Sequence, residues 1–115
     1  MANPAATSVM TTIHTIRLRG FWEVTPQPEG RTRHTRRFGK PRTLDANESL
    51  WLVSSTTHAV AVTLNGHPIG NASAYQPLAI DLTVNLQPRN EIAIDTQTDG
   101  ELTDITLEIR QHAGT

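Results

Sequence analysis

The sequence contains no cysteine. Disulfides, thiolate metal sites, cysteine nucleophiles and thiol redox switches are thereby excluded together. Aromatic residues are nearly as scarce, at 4%: Phe21, Trp22, Phe38, Trp51 and Tyr75. No stretch approaches the roughly 18–20 apolar residues that a bilayer-spanning helix needs. The net charge is only −1, so the total supplies no long-range attraction to nucleic acid or to an anionic surface. The first residues, Met-Ala-Asn-Pro-Ala-Ala-Thr-Ser, lack the basic and apolar regions of a secretory signal. The expectation is a soluble, cytoplasmic protein with no membrane partner.

What is present suits one domain. A chain of 115 residues, 37% of them hydrophobic, is long enough to bury one real core. No internal linker, repeat or low-complexity tract divides it. The expected organisation is a tail over residues 1–10, a single domain over 11–111, and a short tail over 112–115.

The hydrophobic pattern has the period of strands. Ile16 and Leu18 alternate with Arg17 and Arg19, and Val60, Val62 and Leu64 with Ala61 and Thr63. The same holds for Leu78, Ile80 and Leu82, for Ile92 and Ile94, and for Ile105, Leu107 and Ile109. Such runs put one face on a core and the other in water. No 11-residue window keeps a helical repeat, and a short turn at Leu82–Leu86 is the most that is expected. Asn65-Gly66 is a tight-hairpin signal, since a type I′ turn needs positive φ at both central residues. Gly70-Asn71, Pro77, Gln87-Pro88-Arg89-Asn90 and Asp99-Gly100 mark further turns. The fold class is all-β, with about eight mostly antiparallel strands in two packed sheets.

Charge is unevenly placed. Arg31, Arg33, Arg36, Arg37, Lys40 and Arg42 supply six of the ten Lys+Arg with no acid between them, which leaves the rest of the chain at −7. Seven of the eleven acids (Asp81, Glu91, Asp95, Asp99, Glu101, Asp104 and Glu108) fall in the last third. A basic run attracts phosphate or acidic sugars, and it equally suits a strand laid beside acidic ones. With Phe38 the one aromatic nearby, no specific nucleic-acid binding is expected.

From Arg36 to Thr96 the order of motifs is familiar. Arg36-Arg37-Phe38 with Pro41 is followed by Leu50-Trp51-Leu52-Val53. Then come Val60-Ala61-Val62-Thr63-Leu64-Asn65-Gly66-His67-Pro68-Ile69-Gly70 and Tyr75-Gln76-Pro77. Ile80-Asp81-Leu82-Thr83, Leu86, Asn90 and Ile92-Ala93-Ile94 close the series. It resembles the sugar-binding jelly-roll domain at the N-terminus of family 2 glycoside hydrolases, the β-galactosidase and β-glucuronidase group. It is similar more broadly to galactose-binding-domain-like modules. The structural positions of that pattern have local reasons as well. Asn65 and Gly66 supply the left-handed residues of the hairpin, and Gly70 lets the chain turn where a side chain would clash. Asp81 and Thr83 stand where a strand ends and can satisfy loose backbone groups. Asn90 fits a turn position in or near the left-handed region.

The resemblance implies a jelly-roll β-sandwich without catalysis, because in those hydrolases two acids on a separate barrel domain do the chemistry. In the galactosidases a polar or acidic residue before the proline reaches the sugar, whereas the loop here reads Asn71-Ala72-Ser73-Ala74-Tyr75-Gln76. Tyr75, Asn71 and Ser73, with Arg37, are the candidate ligand-binding residues, grouped at one end of the sandwich. An aromatic face covers the C–H surface of a sugar while polar groups take its hydroxyls.

Other chemistry finds little footing. His14, His34, His58, His67 and His112 have no metal-ligand spacing, so no metal is assigned. Asp95, Asp99 and Asp104 are the acids through which a structural calcium of the resembled fold would bind. No Gly-x-Ser-x-Gly or phosphate loop occurs, and no cofactor is expected. Trp51 is read either as core or as the outward partner of a leucine face, and one of Phe21 and Trp22 should face outward. Two functions stand: a non-catalytic carbohydrate-binding module, or a protein-interaction module, self-association included, that has lost sugar binding.

Overall fold

The computed structural model describes residues 10–55, 58–97 and 104–112. The anticipated tails lie outside these residues, except that Met10 and His112 belong to strands. The Asp99-Gly100 turn also lies outside them.

Nine strands are present among the described residues rather than about eight: β1 Met10–Arg17, β2 Glu23–Pro26, β3 Arg31–Gly39, β4 Glu48–Ser55, β5 Val60–Leu64, β6 His67–Ala72, β7 Pro77–Asp81, β8 Arg89–Gln97 and β9 Thr106–His112. They form a four-stranded sheet in the order β1-β9-β4-β7 and a five-stranded sheet in the order β2-β3-β8-β5-β6. Every pairing is antiparallel. The chain crosses between the sheets at β1–β2, β3–β4, β4–β5, β6–β7, β7–β8 and β8–β9, giving a jelly-roll sandwich.

Period-two alternation builds the core as the sequence foretold. Leu50, Leu52, Leu107 and Ile109 face inward from one sheet and Val62, Leu64, Ile92 and Ile94 from the other, all at 1% exposure or less. Each such side chain contributes about 1.5–3 kcal/mol of burial, an upper range for a chain that is partly collapsed when unfolded. Trp51, between Leu50 and Leu52, therefore lies on the outer face. There its indole donates to Ser49 Oγ (2.8 Å), and the Arg110 guanidinium stacks 4.6 Å from its ring centre.

The turns follow the expectations in part. Asn65 (φ 52) and Gly66 (φ 84) are the left-handed pair of the β5–β6 hairpin. Asp81 Oδ1 accepts from Thr83 N (2.9 Å) and Thr83 Oγ1 accepts from Leu50 N (2.9 Å), tying the end of β7 to β4. The short turn near Leu82 is a 3₁₀ turn at Thr83–Asn85.

Two expectations are corrected. Gly70-Asn71 is no turn, because β6 runs on to Ala72 with Gly70 opposite Val62 and Asn71 opposite Ala61. The chain reverses instead at Ser73–Gln76, where Gln76 N donates to Ser73 O (3.1 Å) and Tyr75 takes the positive φ of 61°. Gly70 is needed for space across the sandwich: a Cβ there would lie 2.8 Å from Ile80 Cδ1. Asn90 is not left-handed. It is a buried residue of β8 whose amide donates to Gln87 O (2.8 Å) and accepts from Gln87 N (2.9 Å), so it closes the preceding turn through its side chain.

Candidate functional site

The basic strand β3 lies between β2 and β8, with Arg33 opposite Asp95 and Arg37 opposite Glu91. Arg33 grips Asp95 with two bonds, of 2.7 and 3.0 Å. That contact raises the Arg33 pKa further above its ordinary value. Arg37 reaches Glu91 only at 3.5 Å, and its side chain is 86% exposed. Two of the six cations of the run thus lie opposite acids of β8, Arg33 firmly paired and Arg37 largely facing water.

Arg37 borders a cleft of about 510 Å³ lined also by Phe38, Gly39, Asn65, Arg89, Asn90 and Glu91. Its floor is tied together by hydrogen bonds of Asn65. β5 pairs with β8 as far as Leu64 opposite Ile92. Asn65 then carries the ladder one step further although it sits in a turn. Its backbone N donates to Glu91 O (2.9 Å), and its side-chain Oδ1 accepts from Glu91 N (2.9 Å). Its Nδ2 donates to Asn90 Oδ1 (3.0 Å) and to Asn85 O (3.3 Å). One asparagine thereby supplies the positive φ and replaces a strand residue.

A second cleft, of about 460 Å³, adjoins the first and shares Arg37 and Glu91 with it. Phe21, Trp22 and Arg36 help to form its walls. Gly20 (φ 66) and Phe21 (φ 61) are two successive left-handed residues, so the chain reverses sharply. The reversal sends the two aromatic rings opposite ways. Trp22 packs on the core and donates its indole N–H to Leu18 O (3.0 Å), while Phe21 is 89% exposed. Arg36 holds the turn by donating to Gly20 O (3.0 Å), and its guanidinium lies 5.9 Å from the Phe21 ring centre.

The four candidate binding residues do not converge. Asn71 and Ser73 line a separate cleft of about 290 Å³ with Arg31, Asp95 and Gln97. Arg31 and Arg37 stand at opposite ends of β3, so this cleft and the Arg37 cleft are at opposite ends of the five-stranded sheet. Tyr75 is 79% exposed on the β6–β7 loop and lines neither cleft. Residues that the sequence reading passed over, Phe21, Arg36 and Arg89, stand near Arg37. Their signals were faint: a glycine before an aromatic pair, and an arginine out of phase with its neighbours.

Among the described residues no group of three His, Asp or Glu side chains is placed to hold a metal ion. Of the acids considered for calcium, Asp95 is engaged by Arg33, and Asp99 lies outside the described residues. Among the described residues no helix is long and apolar enough to cross a membrane.

The same sandwich fold occurs within longer β-glucuronidase and β-glycosidase chains. The chain superposes on a β-glucuronidase of Bifidobacterium dentium, solved with coumarin-3-O-glucuronide, at a TM-score of 0.72 with 14% identity, covering 98% of this chain and 31% of that one. For the β-D-glucuronidase of Dictyoglomus thermophilum the values are 0.73 and 12%, with 87% and 28% covered. For a β-glycosidase of Bacteroides vulgatus they are 0.58 and 22%, with 71% and 12% covered. The chain thus spans less than a third of each enzyme, and the likeness at these identities is one of fold. No family model and no curated protein matches the sequence.

Proposed function

We propose that this chain is a non-catalytic carbohydrate-binding module. The observation that carries the reading is the fold: nearly the whole chain superposes on a minor part of β-glucuronidases. The surface supports it. The Arg37 cleft and its neighbour combine apolar ring faces with polar groups, the pairing that sugars require. The carboxylates support the non-catalytic part. Glu48, Asp95 and Glu108 each form an ion pair of 2.7–3.0 Å with an arginine, so these carboxylates serve as structural partners. Of the four candidate residues, Arg37 is the one we retain in the site.

Calorimetry or NMR titration with glucose, galactose, glucuronic acid and their short oligomers tests the proposal. Binding of at least one with a Kd below about 10 mM, near −3 kcal/mol, is the expected result. Absence of any such binding refutes it. A protein-interaction role rests on Val24, which is 61% exposed on the edge strand β2. Light scattering at low and high salt checks its self-associating form, and a monomer at both rules that form out.

A further inference from the structure

The two clefts beside Arg37 belong to a longer feature. A third cleft, of about 250 Å³, is bounded by Arg17, Arg19 and Asp104, and it shares Trp22 with the second. Joined through these shared residues, the three follow one another from the Arg89 end of the five-stranded sheet toward the Arg17 end of the four-stranded sheet. Along that line stand five arginines, Arg17, Arg19, Arg36, Arg37 and Arg89, against three acids, Glu23, Glu91 and Asp104. The line is cationic on a chain whose total is −1.

Phe21 stands at its middle. A bulky residue with φ near +60° is strained, and an exposed phenylalanine gains almost nothing from burial. Folding alone gives no reason for this residue here, since glycine would adopt the turn without strain. Ring faces that stay in water beside guanidinium groups suit a ligand with both C–H surface and negative charge.

We infer that the three clefts form one trough that takes an acidic oligosaccharide, with a sugar ring on Phe21 and carboxylate or sulfate groups on the flanking arginines. The inference rests on the carbohydrate-binding reading and adds the ligand's charge and length. Arginine's planar fork matches either anion through paired hydrogen bonds. Two of the clefts are in the ~300–1,000 Å³ range of small-molecule sites, so the line has room for several linked rings. Arg36 is a positioning residue: its bonds to Gly20 O and Arg37 O (3.2 Å) fix the turn that presents Phe21.

The test uses the Trp51→Phe variant, which leaves Trp22 in the trough wall as the sole indole. Its fluorescence is titrated with a galacturonate trimer, a sulfated heparin tetrasaccharide, a glucose trimer, galacturonate monomer and a thymidine oligonucleotide. The expected result is that the uronate or the sulfated oligomer binds at least about tenfold more tightly than the glucose trimer and the monomer. Whichever of the two binds better identifies the anion. Binding should weaken as salt rises from about 0.05 to 0.2 M. Phe21→Gly and Arg89→Ala should each weaken it at least about fivefold, and Tyr75→Ala should leave it unchanged. Phe21→Gly should unfold no earlier than its parent, which separates lost binding from lost folding. Equal binding of the neutral trimer overturns this inference and leaves the carbohydrate-binding module standing. Absence of binding by every sugar overturns both. Tighter binding of the oligonucleotide than of any sugar makes the trough a nucleic-acid site and overturns the inference.

Discussion

Replacing Asn65 with glycine isolates what its side chain does beyond shaping the turn. Glycine takes a φ of 52° at least as readily as asparagine, so the hairpin conformation survives. Three side-chain bonds are lost: the one accepted from Glu91 N at 2.9 Å and those donated to Asn90 Oδ1 at 3.0 Å and Asn85 O at 3.3 Å. At about 0.5–1.5 kcal/mol each, the two short bonds are worth roughly 1–3 kcal/mol, and the long one little. Glu91 is exposed and water can replace the lost partner of its N–H, which moves the total toward the lower half of that range. Asn90 is 3% exposed but keeps both bonds to Gln87, so it is not left without partners. The net expectation is a loss of about 1–2 kcal/mol, or roughly 5–10 °C in Tm for a domain of this size. Asn65→Asp should fall between wild type and Asn65→Gly, because it keeps the acceptor for Glu91 N but turns the donor toward Asn90 Oδ1 into an acceptor. Urea unfolding followed by tryptophan fluorescence reads all three proteins. A glycine variant as stable as wild type would refute the claim that Asn65 extends the β5–β8 ladder.

The Glu48 carboxylate accepts from Arg42 Nη1 (2.7 Å), Arg42 Nη2 (2.9 Å) and Asp45 N (2.9 Å), and these bonds, the arginine's foremost, lower its pKa from 4.5 to about 2. Its contribution to stability is therefore complete above pH 4.5 and fades as the pH falls toward 2, so denaturation midpoints should drop across that window. Glu48→Gln should start lower at neutral pH and give a flatter profile, and two parallel profiles would contradict the assignment. Leu50→Ala should destabilise by about 2–5 kcal/mol, whereas Trp51→Phe, on the outer face, should change stability by less than about 1 kcal/mol; similar losses from both would mean the register of β4 is wrong. Gly70→Val should lose about 1–3 kcal/mol through collision with Ile80, and Ile80→Ala should lose less in that background than in wild type, as a double-mutant cycle by chemical denaturation would show.

The period-two runs made the sheets legible because each inward residue, such as Leu64 or Ile92, is specified by its own chemistry. The Asn65-Gly66 hairpin was legible for the same reason, since positive φ at two successive positions restricts the residue types. Gly70 and Asn90 were misread because glycine and asparagine serve more than one need. Gly70 makes room for a side chain from the other sheet, and Asn90 closes a turn from within a strand. Neither need is local to the sequence. Trp51 shows the limit of hydrophobicity as a guide: flanked by core leucines, it is turned outward by alternation alone. The site was the least legible part. Phe21 and Arg36 meet only because the Gly20 turn folds onto β3, and nothing in the spacing of residues 20 and 36 announces that contact.

The register of the first and last strands has a geometric consequence. Met10 is paired with His112, and Arg17 with Thr106, so β1 and β9 begin and end together. Both ends of the folded unit leave at the Met10–His112 pair, while Arg17 at the far end of β1 borders the trough. Seven steps at about 3.3 Å put some 23 Å between them. Anything attached at either end, whether a neighbouring domain, a fusion partner or a sensor surface, would be tethered at the pole that carries Arg37 and Arg89, with Arg17 at the far end of the trough. Immobilisation through either terminus should therefore leave the Arg17 end of the trough open to ligand and crowd the Arg37–Arg89 end, so the point of attachment would itself tune access.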